Sequence, residues 1–450
     1  MSGLESIIAT GEDVLAGPLD FDIGSDQASY IVSREQQTFY SSQNILNPTS
    51  VKTLKYSLGG NGFLDLSTLH FTFLLKNLSP TLELQPLTCE AHCCFRRFIV
   101  RISGTLCENQ EFFSKNEEFV RRILPAEKRK DLASMFLGVA SYGGHGHDMI
   151  PNSIPANAVG AGTTSSKRVV FRPLTSAILN MKKYLPALLL SQGITIELEL
   201  DNVENSFASA NDAGSVSYSQ LYSLEDCRCL CDQVTLTSEL TDQYTSLLLS
   251  GKSLYIDLPD LSETTVQYLP GNEGRFSINS ARQYSRLNTL IVSFSQTPLA
   301  NGRDTKEVNN FYIPATSVDT IESNLVINGN RMPACNNLGV CQHWNRLLRG
   351  VGAYGGIGTS TSISYTGFGG GVTNVAAGGG TLGRSFAVIF DLEKMPAHSS
   401  TGEPMASGGY LTVNISGLGT ITDAYATKVY ITAHHSGALE IRDSGCQIYS

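Results

Sequence analysis

The sequence predicts an all-β protein built as two consecutive β-sandwiches. Charged residues make up only 16% of the 450 residues, and glycine occurs 42 times, a balance that suits strands joined by many turns. Many segments alternate apolar and polar residues with the period of two that a half-buried strand requires. The order of segments in the first half recurs in the second, and the length allows two or three domains.

The first half begins with a polar, aperiodic segment, residues 1–35, which we interpret as an extended N-terminal arm. A strand, a turn at residues 47–49 and a second strand are predicted between Thr38 and Leu58. Residues 63–78 alternate, with Leu69, Phe71, Phe73 and Leu75 on one face, and residues 93–105 alternate as well. Both segments are predicted strands.

A helix is predicted over residues 108–130, where apolar residues recur at spacings of three and four and Pro125 makes a break. This helix follows the fourth predicted strand. Residues 142–166 are rich in small and polar residues, and we expect a long loop that decorates a surface or carries an interaction site.

The end of the first half contains its clearest strand. A short strand is predicted at residues 169–171. The apolar stretch 177–190, interrupted by Pro186, predicts a short helix, a break and a second turn. Residues 194–201 alternate strictly, which predicts a half-buried strand, and we expect it at the edge of an antiparallel sheet.

Two further segments complete the first half. Residues 226–237 predict its last strand, which places Cys227, Cys229 and Cys231 on one face. Residues 240–249 predict a short helix that links the halves. We therefore assign the first sandwich to residues 36–238 and the second to residues 239–450.

The second half repeats this order of elements. Leu290, Val292 and Phe294 correspond to Leu69, Phe71 and Phe73, and a short helix at residues 341–348 corresponds to the helical segment 118–124. Two halves of about 200 residues suit two eight-stranded sandwiches. The other predicted segments are strands at 255–269, 274–296 and 323–332, a glycine-rich loop at 350–384, and strands at 385–392, 409–418 and 427–434, of which the last two correspond to 194–200 and 227–237.

Residues 171–200, FRPLTSAILNMKKYLPALLLSQGITIELEL, resemble the late part of the first jelly roll in double jelly-roll major capsid proteins. The resembled branch includes Polinton-like viruses, adintoviruses and virophages. The second half matches this family only loosely, and the ten cysteines are unusual for it. Residues that match family motifs are Lys183, Tyr184, Leu185 and Pro186, then Gly104, Thr105 and Glu108, and finally Ser250, Gly251, Leu254 and Ile256.

The resemblance implies two consecutive eight-stranded jelly rolls with short helices and long decorating loops. It also implies a structural protein and not an enzyme. Homotrimers of such a protein form pseudo-hexameric capsomers in the icosahedral shell of a DNA virus. The implied partners are neighbouring capsomers and penton, minor or cement capsid proteins, and an internal membrane is left open. The implied location is the virion, with assembly inside the host cell.

Charge and targeting signals add three expectations. The net charge is −9 without a basic tail, so we expect no direct binding of nucleic acid. Glu5, Glu12 and Asp13 stand where a signal peptide is positively charged, so we expect no secretion. The sequence contains no run of eighteen apolar residues, so we expect no membrane span.

Two patterns suggest a metal site, and we reject both. His145, His147 and Asp148 lie in a glycine-flanked loop without supporting residues nearby. The cysteines at 227, 229 and 231 are spaced by one residue, which gives a row of parallel thiols in a strand. We predict no catalytic residue, cofactor or metal, and we interpret the ten cysteines as mostly reduced core residues.

Two other classes of function stay open. Tandem sandwiches that bind carbohydrate often expose aromatic side chains, but Trp344 is the only tryptophan and no calcium loop is apparent. A cupin-like metal enzyme is less favoured, because His434 and His435 are adjacent and would point to opposite faces of a strand. The glycines at 378, 380 and 383 spell GxGxxG but precede a strand, so we interpret them as loop composition.

Overall fold

The computed structural model describes most of the chain. The described residues are 30–49, 52–142, 149–158, 164–181, 183–211, 215–267, 275–280, 284–295, 306–312, 320–350, 361–369, 385–393, 402–405, 409–417, 428–442 and 445–449. The histidine loop at 145–148, the GxGxxG glycines and residues 1–29 of the predicted arm lie outside them.

The first jelly roll consists of two antiparallel sheets that share one apolar core. One sheet has the order β1-β12-β4, with β9 and β10 paired to β4 and β2 paired to β12, and the other has the order β3-β11-β5-β6. A small hairpin joins β7 to β8. The strands are β1 (Ile31–Tyr40), β2 (Ile45–Leu46), β3 (Thr53–Leu58), β4 (Phe63–Asn77), β5 (Phe95–Ile102), β6 (Thr105–Gln110), β7 (Val139–Tyr142), β8 (Met149–Pro151), β9 (Ser166–Phe171), β10 (Leu185–Pro186), β11 (Ile194–Leu200) and β12 (Tyr222–Leu236).

The helices of this half follow β6 and the two closing strands. They are α1 (Phe113–Ile123), α2 (Ala126–Ser134), α3 (Val203–Ser206) and α4 (Ser238–Leu249). Helix α4 connects the halves, as the pattern at 240–249 predicts.

The second jelly roll repeats the plan. One sheet has the order β13-β20-β15-β18 with β21 paired to β20, and the other has the order β14-β19-β16-β17. The elements are β13 (Leu254–Gln267), β14 (Arg275–Ser280), β15 (Arg286–Ser295), β16 (Glu322–Ile327), β17 (Asn330–Leu338), α5 (Gly339–Gly350), α6 (Tyr365–Gly369), β18 (Ala387–Asp391), β19 (Leu411–Ser416), β20 (Lys428–Arg442) and β21 (Gly445–Tyr449).

Alternation along the strands explains the cores. Leu69, Phe71, Phe73 and Leu75 of β4 are fully buried, and the residues between them are half-buried. Each such side chain contributes roughly 1.5–3 kcal/mol by leaving water. In the described part of the second half, Leu290, Val292 and Phe294 of β15 are buried at the corresponding places. Each pair of sheets therefore closes over its own apolar interior.

The predicted double jelly roll is confirmed, and so is the correspondence between its halves. Strands β4 and β15 occupy the same place in their sheets, as do β11 and β19, and β12 and β20. In each half eight main strands form two four-stranded layers. Among the described residues, no ladder of paired strands crosses from β1–β12 to β13–β21.

Several local predictions need correction. The region around Glu108 belongs to β6, so the helix follows the fifth main strand, begins at Phe113 and is split in two at Pro125. Strand β11 pairs with β3 on one side and β5 on the other, so the predicted edge position is wrong. Alternation shows that one face of a strand is exposed to water, but it does not show whether the backbone hydrogen bonds at its sides are paired. Residues 31–35 of the predicted arm form the beginning of β1.

Two further corrections concern turns. The single strand predicted at 323–332 is the hairpin β16-β17, whose turn residues Asn328 and Gly329 have φ angles of 51° and 84°. Positive φ at both positions is typical of the tightest hairpin turns. The apolar stretch 177–190 forms two 3-10 turns, Ile178–Asn180 and Ala187–Leu189, on either side of β10. No helix in the described ranges is long and apolar enough to cross a bilayer.

Candidate functional site: the seam between the two jelly rolls

Helix α1 lies between the two jelly rolls and is buried along most of its length. Every residue from Phe113 to Phe119 is buried, although this stretch carries Lys115, Glu117 and Glu118. Buried charges are costly unless they are paired and hydrogen-bonded, so their partners define the site. We call the interface formed by α1 and the second jelly roll the seam.

One face of α1 is bound by its own jelly roll. The Arg121 guanidinium lies 2.5 Å from Glu90 Oε2 and 3.0 Å from Glu117 Oε2. Glu117 Oε1 accepts hydrogen bonds of 2.7 Å from the backbone N–H groups of Leu174 and Thr175. This network connects the helix to the segment that follows β9.

A second ionic cluster lies around Glu118. Its Oε1 accepts from Arg122 Nε at 2.7 Å and from Arg129 Nη2 at 2.8 Å, and its Oε2 lies 3.2 Å from His92 Nε2. Burial alone would raise the pKa of Glu118, but Arg129 and Arg122 outweigh it and hold that pKa well below its ordinary value. Glu118 is therefore an anion that two helices share.

The second jelly roll caps the N-terminus of α1. The Ncap residue, Phe112, has no side chain that can accept a hydrogen bond. Instead Glu263 Oε2, on β13, accepts from the backbone N–H groups of Glu111 and Phe112 at 2.7 and 2.9 Å. The same carboxylate contacts the Asn116 amide, whose Oδ1 accepts from Thr432 Oγ1 at 3.0 Å. A carboxylate at a helix N-terminus also interacts favourably with the helix dipole.

Lys115 enters the second jelly roll. Its Nζ donates to Ser295 Oγ at 2.8 Å and to the Asn310 carbonyl at 2.6 Å. The same atom lies 4.4 Å from the centre of the Phe311 ring and 4.3 Å from that of Tyr430. Burial lowers the pKa of this lysine to about 7.

The C-terminus of α1 is held from the same side. Ser362 donates its backbone N–H to the Leu124 carbonyl at 2.8 Å and its hydroxyl to the Arg122 carbonyl at 2.6 Å. The Arg122 guanidinium donates to Ser385 Oγ at 3.0 Å and to Asn309 Oδ1 at 3.1 Å. Both ends of the helix are thus completed by residues at least 140 positions away in the chain.

Apolar contacts extend the seam. The Phe119 ring lies 5.5 Å from Phe311 and belongs to the core of the second jelly roll. In the other direction, Ile256, Leu258 and Leu439 of the second half belong to the core of the first. The two interiors therefore share side chains across the seam.

Two residues that match the family motifs, Thr105 and Lys183, contact the second jelly roll at points away from α1. Gly104, with φ of 82°, completes the turn from β5 to β6, and the Thr105 hydroxyl donates to the Cys446 carbonyl at 3.0 Å. Lys183 Nζ donates to the Tyr255 carbonyl at 3.0 Å, beside a cleft of about 530 Å³ that Tyr184 and Pro186 line. Burial raises the pKa of Glu108 to about 7 while Ser176 Oγ donates to it at 2.8 Å.

The cysteines of β12 lie in a row, as their spacing predicts. Cys227, Cys229 and Cys231 are all buried in the core of the first jelly roll. Burial raises the pKa of Cys227 and of Cys231 to about 12 and that of Cys229 well above its ordinary value, which keeps these groups as thiols. Within the described ranges, no cluster of His, Cys, Asp and Glu has metal-binding geometry.

The residues behind the alternative functions are placed inside the fold. Trp344 is half-buried and packs on Tyr365 and Phe368, with ring centres 6.0 and 5.2 Å away. His435 is buried with its Nε2 3.8 Å from Asp260, and burial lowers the pKa of His434 to about 4. None of these side chains forms an open sugar platform or a shared metal site.

The seam could not be predicted from the residues of α1. In FSKNEEFVRRI the charged residues and the apolar residues lie on opposite faces of the helix, which is the pattern of an ordinary amphipathic surface helix. The residues that pair with these charges are set by contacts between distant parts of the chain.

Comparisons with solved structures support the fold. The chain is similar to VP54 of PBCV-1, as fitted into a reconstruction of the virophage Sputnik, with TM-score 0.59 and 11% identity over 94% of this chain and 98% of that one. It is similar to the Faustovirus major capsid protein, with TM-score 0.57 and 8% identity over 97% and 94%. It is also similar to the mavirus major capsid protein, with TM-score 0.51 and 12% identity over 97% and 95%.

Sequence-based comparisons give no relatives. No protein-family model matches the chain, and no curated protein matches it either. At identities of 8–12% the likeness establishes the shared double jelly-roll fold.

Proposed function

We propose that this chain is a structural major capsid protein whose homotrimers form pseudo-hexameric capsomers of an icosahedral DNA-virus shell. The observation that carries the proposal is the fold, which is that of two named major capsid proteins over 97% of this chain. The role requires no catalytic step. It requires two similar lobes held in a fixed relation, and the seam provides that relation.

The seam supports the proposal physically. In a capsomer of six lobes, the angle between the two lobes of each chain sets the shape of the ring. Here that angle is held by hydrogen bonds at both ends of α1, by the Lys115 contacts and by shared core side chains. Such an interface resists the hinge motion that is otherwise expected between domains.

The proposal extends to organisation and partners. The proposed lobes are residues 31–238 and 239–450, since β1 begins at Ile31, and an arm precedes them at the N-terminus. Neighbouring capsomers and penton, minor or cement proteins are the proposed partners, and a membrane beneath the shell is compatible with the role. The net charge of −9 argues against direct contact with the genome. The proposed location is the virion, with assembly inside the host cell.

The test is the mass and shape of the purified protein. Light scattering after size exclusion is expected to give three times the 48.6-kDa chain mass, and negative-stain images are expected to show hexagonal outlines. A stable monomer at micromolar concentration would contradict the proposal. So would a trimer whose images show three separate lobes instead of six.

A further inference from the structure

Helices α1 and α5 occupy corresponding places in the two jelly rolls. Each follows the outermost strand of the four-stranded sheet, β6 or β17. In α1, Phe113, Glu117 and Arg121 face their own jelly roll, as their contacts with Phe98, Thr175 and Glu90 show. In α5 the buried residues are Gly339, Val340, His343 and Leu347, and three of them, Gly339, His343 and Leu347, have the spacing of Phe113, Glu117 and Arg121. The helices therefore align residue by residue, Phe113 with Gly339.

This alignment exposes a contrast between the two helices. The positions of α1 that contact the second jelly roll are Phe112, Lys115, Asn116, Phe119 and Arg122. Their counterparts in α5 face solvent or are half-buried: Leu338, Cys341, Gln342 and Asn345 are exposed, and Leu348 is half-buried. The chain itself covers this face of α1, whereas within the described ranges the corresponding face of α5 is exposed or half-buried, with Cys341 in contact with Tyr365.

The surface that covers α1 also has a counterpart, which is partly exposed in the monomer. Helix α1 contacts Ser295, Tyr430 and Thr432 on the outer face of the β13-β20-β15 sheet, and all three are buried. Strand register identifies the equivalents in the first jelly roll, because Val292 pairs with Ile431 as Phe71 pairs with Cys229. The equivalents are Leu74, Arg228 and Leu230, which are half-buried, and Thr38, which is exposed and corresponds to Glu263.

We propose that the exposed face of α5 in one copy packs on the outer face of the β1-β12-β4 sheet in the next copy. This contact between two chains would repeat the seam that each chain contains. The two surfaces, the α5 face and the β1-β12-β4 face, differ from each other and lie on the same chain, so the contact is head-to-tail. A head-to-tail contact generates a closed ring when its rotation closes, here with six similar junctions in three copies. The inference rests on the proposed function in taking a second copy as the partner.

A cross-linking pair tests the surface directly. Asn116 Oδ1 and Thr432 Oγ1 are 3.0 Å apart across the seam, and their counterparts are Gln342 and Leu230. A chain carrying Gln342→Cys and Leu230→Cys is expected to form covalent two-chain and three-chain species on mild copper-phenanthroline oxidation. The matched control carries Gln342→Cys with Val216→Cys, which places the second thiol at an exposed residue of the loop before β12. The control is expected to form less than a tenth of the cross-linked product.

A substitution tests the same surface without new thiols. Leu338 is 50% exposed in the monomer, so Leu338→Asp is expected to leave the far-ultraviolet circular dichroism unchanged. In the proposed contact between chains the new carboxylate would be buried, and the dissociation constant of the trimer is expected to rise at least tenfold. Val216, 49% exposed, provides the control Val216→Asp, which is expected to remain trimeric.

The outcomes separate this inference from the function it rests on. Pair-specific cross-links together with a dissociating Leu338→Asp support the surface. A wild-type trimer whose cross-linking does not exceed the control overturns the surface and leaves the trimeric capsid protein intact. A wild-type monomer overturns both. If Leu338→Asp does not fold, the cross-linking pair alone decides.

Discussion

Lys115 lies at the seam in an environment very different from water. Its amine keeps three hydrogen bonds and lies over two aromatic rings, but it has exchanged water for the interior of another lobe. Its pKa of about 7 means that the folded protein releases a proton that the unfolded chain still binds up to pH 10.5. The folded state is therefore favoured as the pH rises from 7 towards 10.

This predicts a pH-dependent difference between the wild type and Lys115→Met. Between pH 7 and 9 the free energy of unfolding of the wild type is expected to rise, relative to the variant, by at most about 1.4 kcal/mol per pH unit. Urea denaturation at several pH values measures it, and the comparison cancels the titration of other groups. A difference that stays flat over this interval would show that Lys115 keeps its charge when folded.

The sequence predicted the surroundings of some buried residues and not of others. The spacing of Cys227, Cys229 and Cys231 placed them in a row on one face, and the fold puts that row in the core. The burial of Lys115 was not predictable, because a lysine with charged neighbours in a helix normally faces water. Its partners Ser295 and Asn310 lie 180 and 195 positions away.

At the scale of elements, the N-terminus of α1 depends on a carboxylate from the other lobe. Glu263→Ala removes the acceptor for two backbone N–H groups and for the Asn116 amide. We expect the free energy of unfolding to fall by about 1–3 kcal/mol, the cost of leaving a helix N-terminus and the buried Asn116 amide without their acceptor. Urea denaturation at neutral pH measures this loss.

The matched control is Glu127→Ala. Glu127 also lies in the first turn of a helix, but its side chain is 82% exposed and its ion pair with Lys130 lies on the surface. We expect a change within about 0.5 kcal/mol. Equal losses in the free energy of unfolding of the two variants would contradict this. They would mean that Glu263 stabilises α1 no more than an exposed carboxylate in the first turn of a helix does.

Strands with strict alternation were predicted well, and strands without it were not. Strand β11 was recognisable from Ile194 to Leu200 because its two faces differ in polarity. Strand β6 was not, since CENQ places polar residues on both faces and Glu108 is buried by partners in the segment after β9. The turn at Asn328 and Gly329 carried a usable signal, the Asn-Gly pair, although the apolar residues on either side predicted a single strand.

At the scale of the whole molecule, shared side chains couple the two jelly rolls. We expect them to unfold together, because separation would expose Phe119, Lys115 and the ends of α1 at once. The single tryptophan, Trp344, reports on the second jelly roll, and circular dichroism reports on both. The two signals are expected to give one urea midpoint for the wild type.

Weakening the seam should separate these signals. Phe119→Ala removes an aromatic side chain from the second core without touching the sheets. Its midpoints are expected to diverge, with the tryptophan signal changing at lower urea. Coincident midpoints at a lower common value would instead mean that coupling does not depend on this side chain. The order of elements made two similar lobes predictable, but the joint between them was not, because it is formed by long-range partners.

The completion of α1 by residues from the other lobe has a consequence for biosynthesis. A ribosome delivers the first lobe before Glu263, Ser362 and Ser385 have been polymerised, so the nascent helix emerges with both ends unsatisfied. The first lobe therefore reaches its final state only after translation has passed residue 439, since Leu439 belongs to its core. Until then its charged helix and apolar flank are open to chaperones.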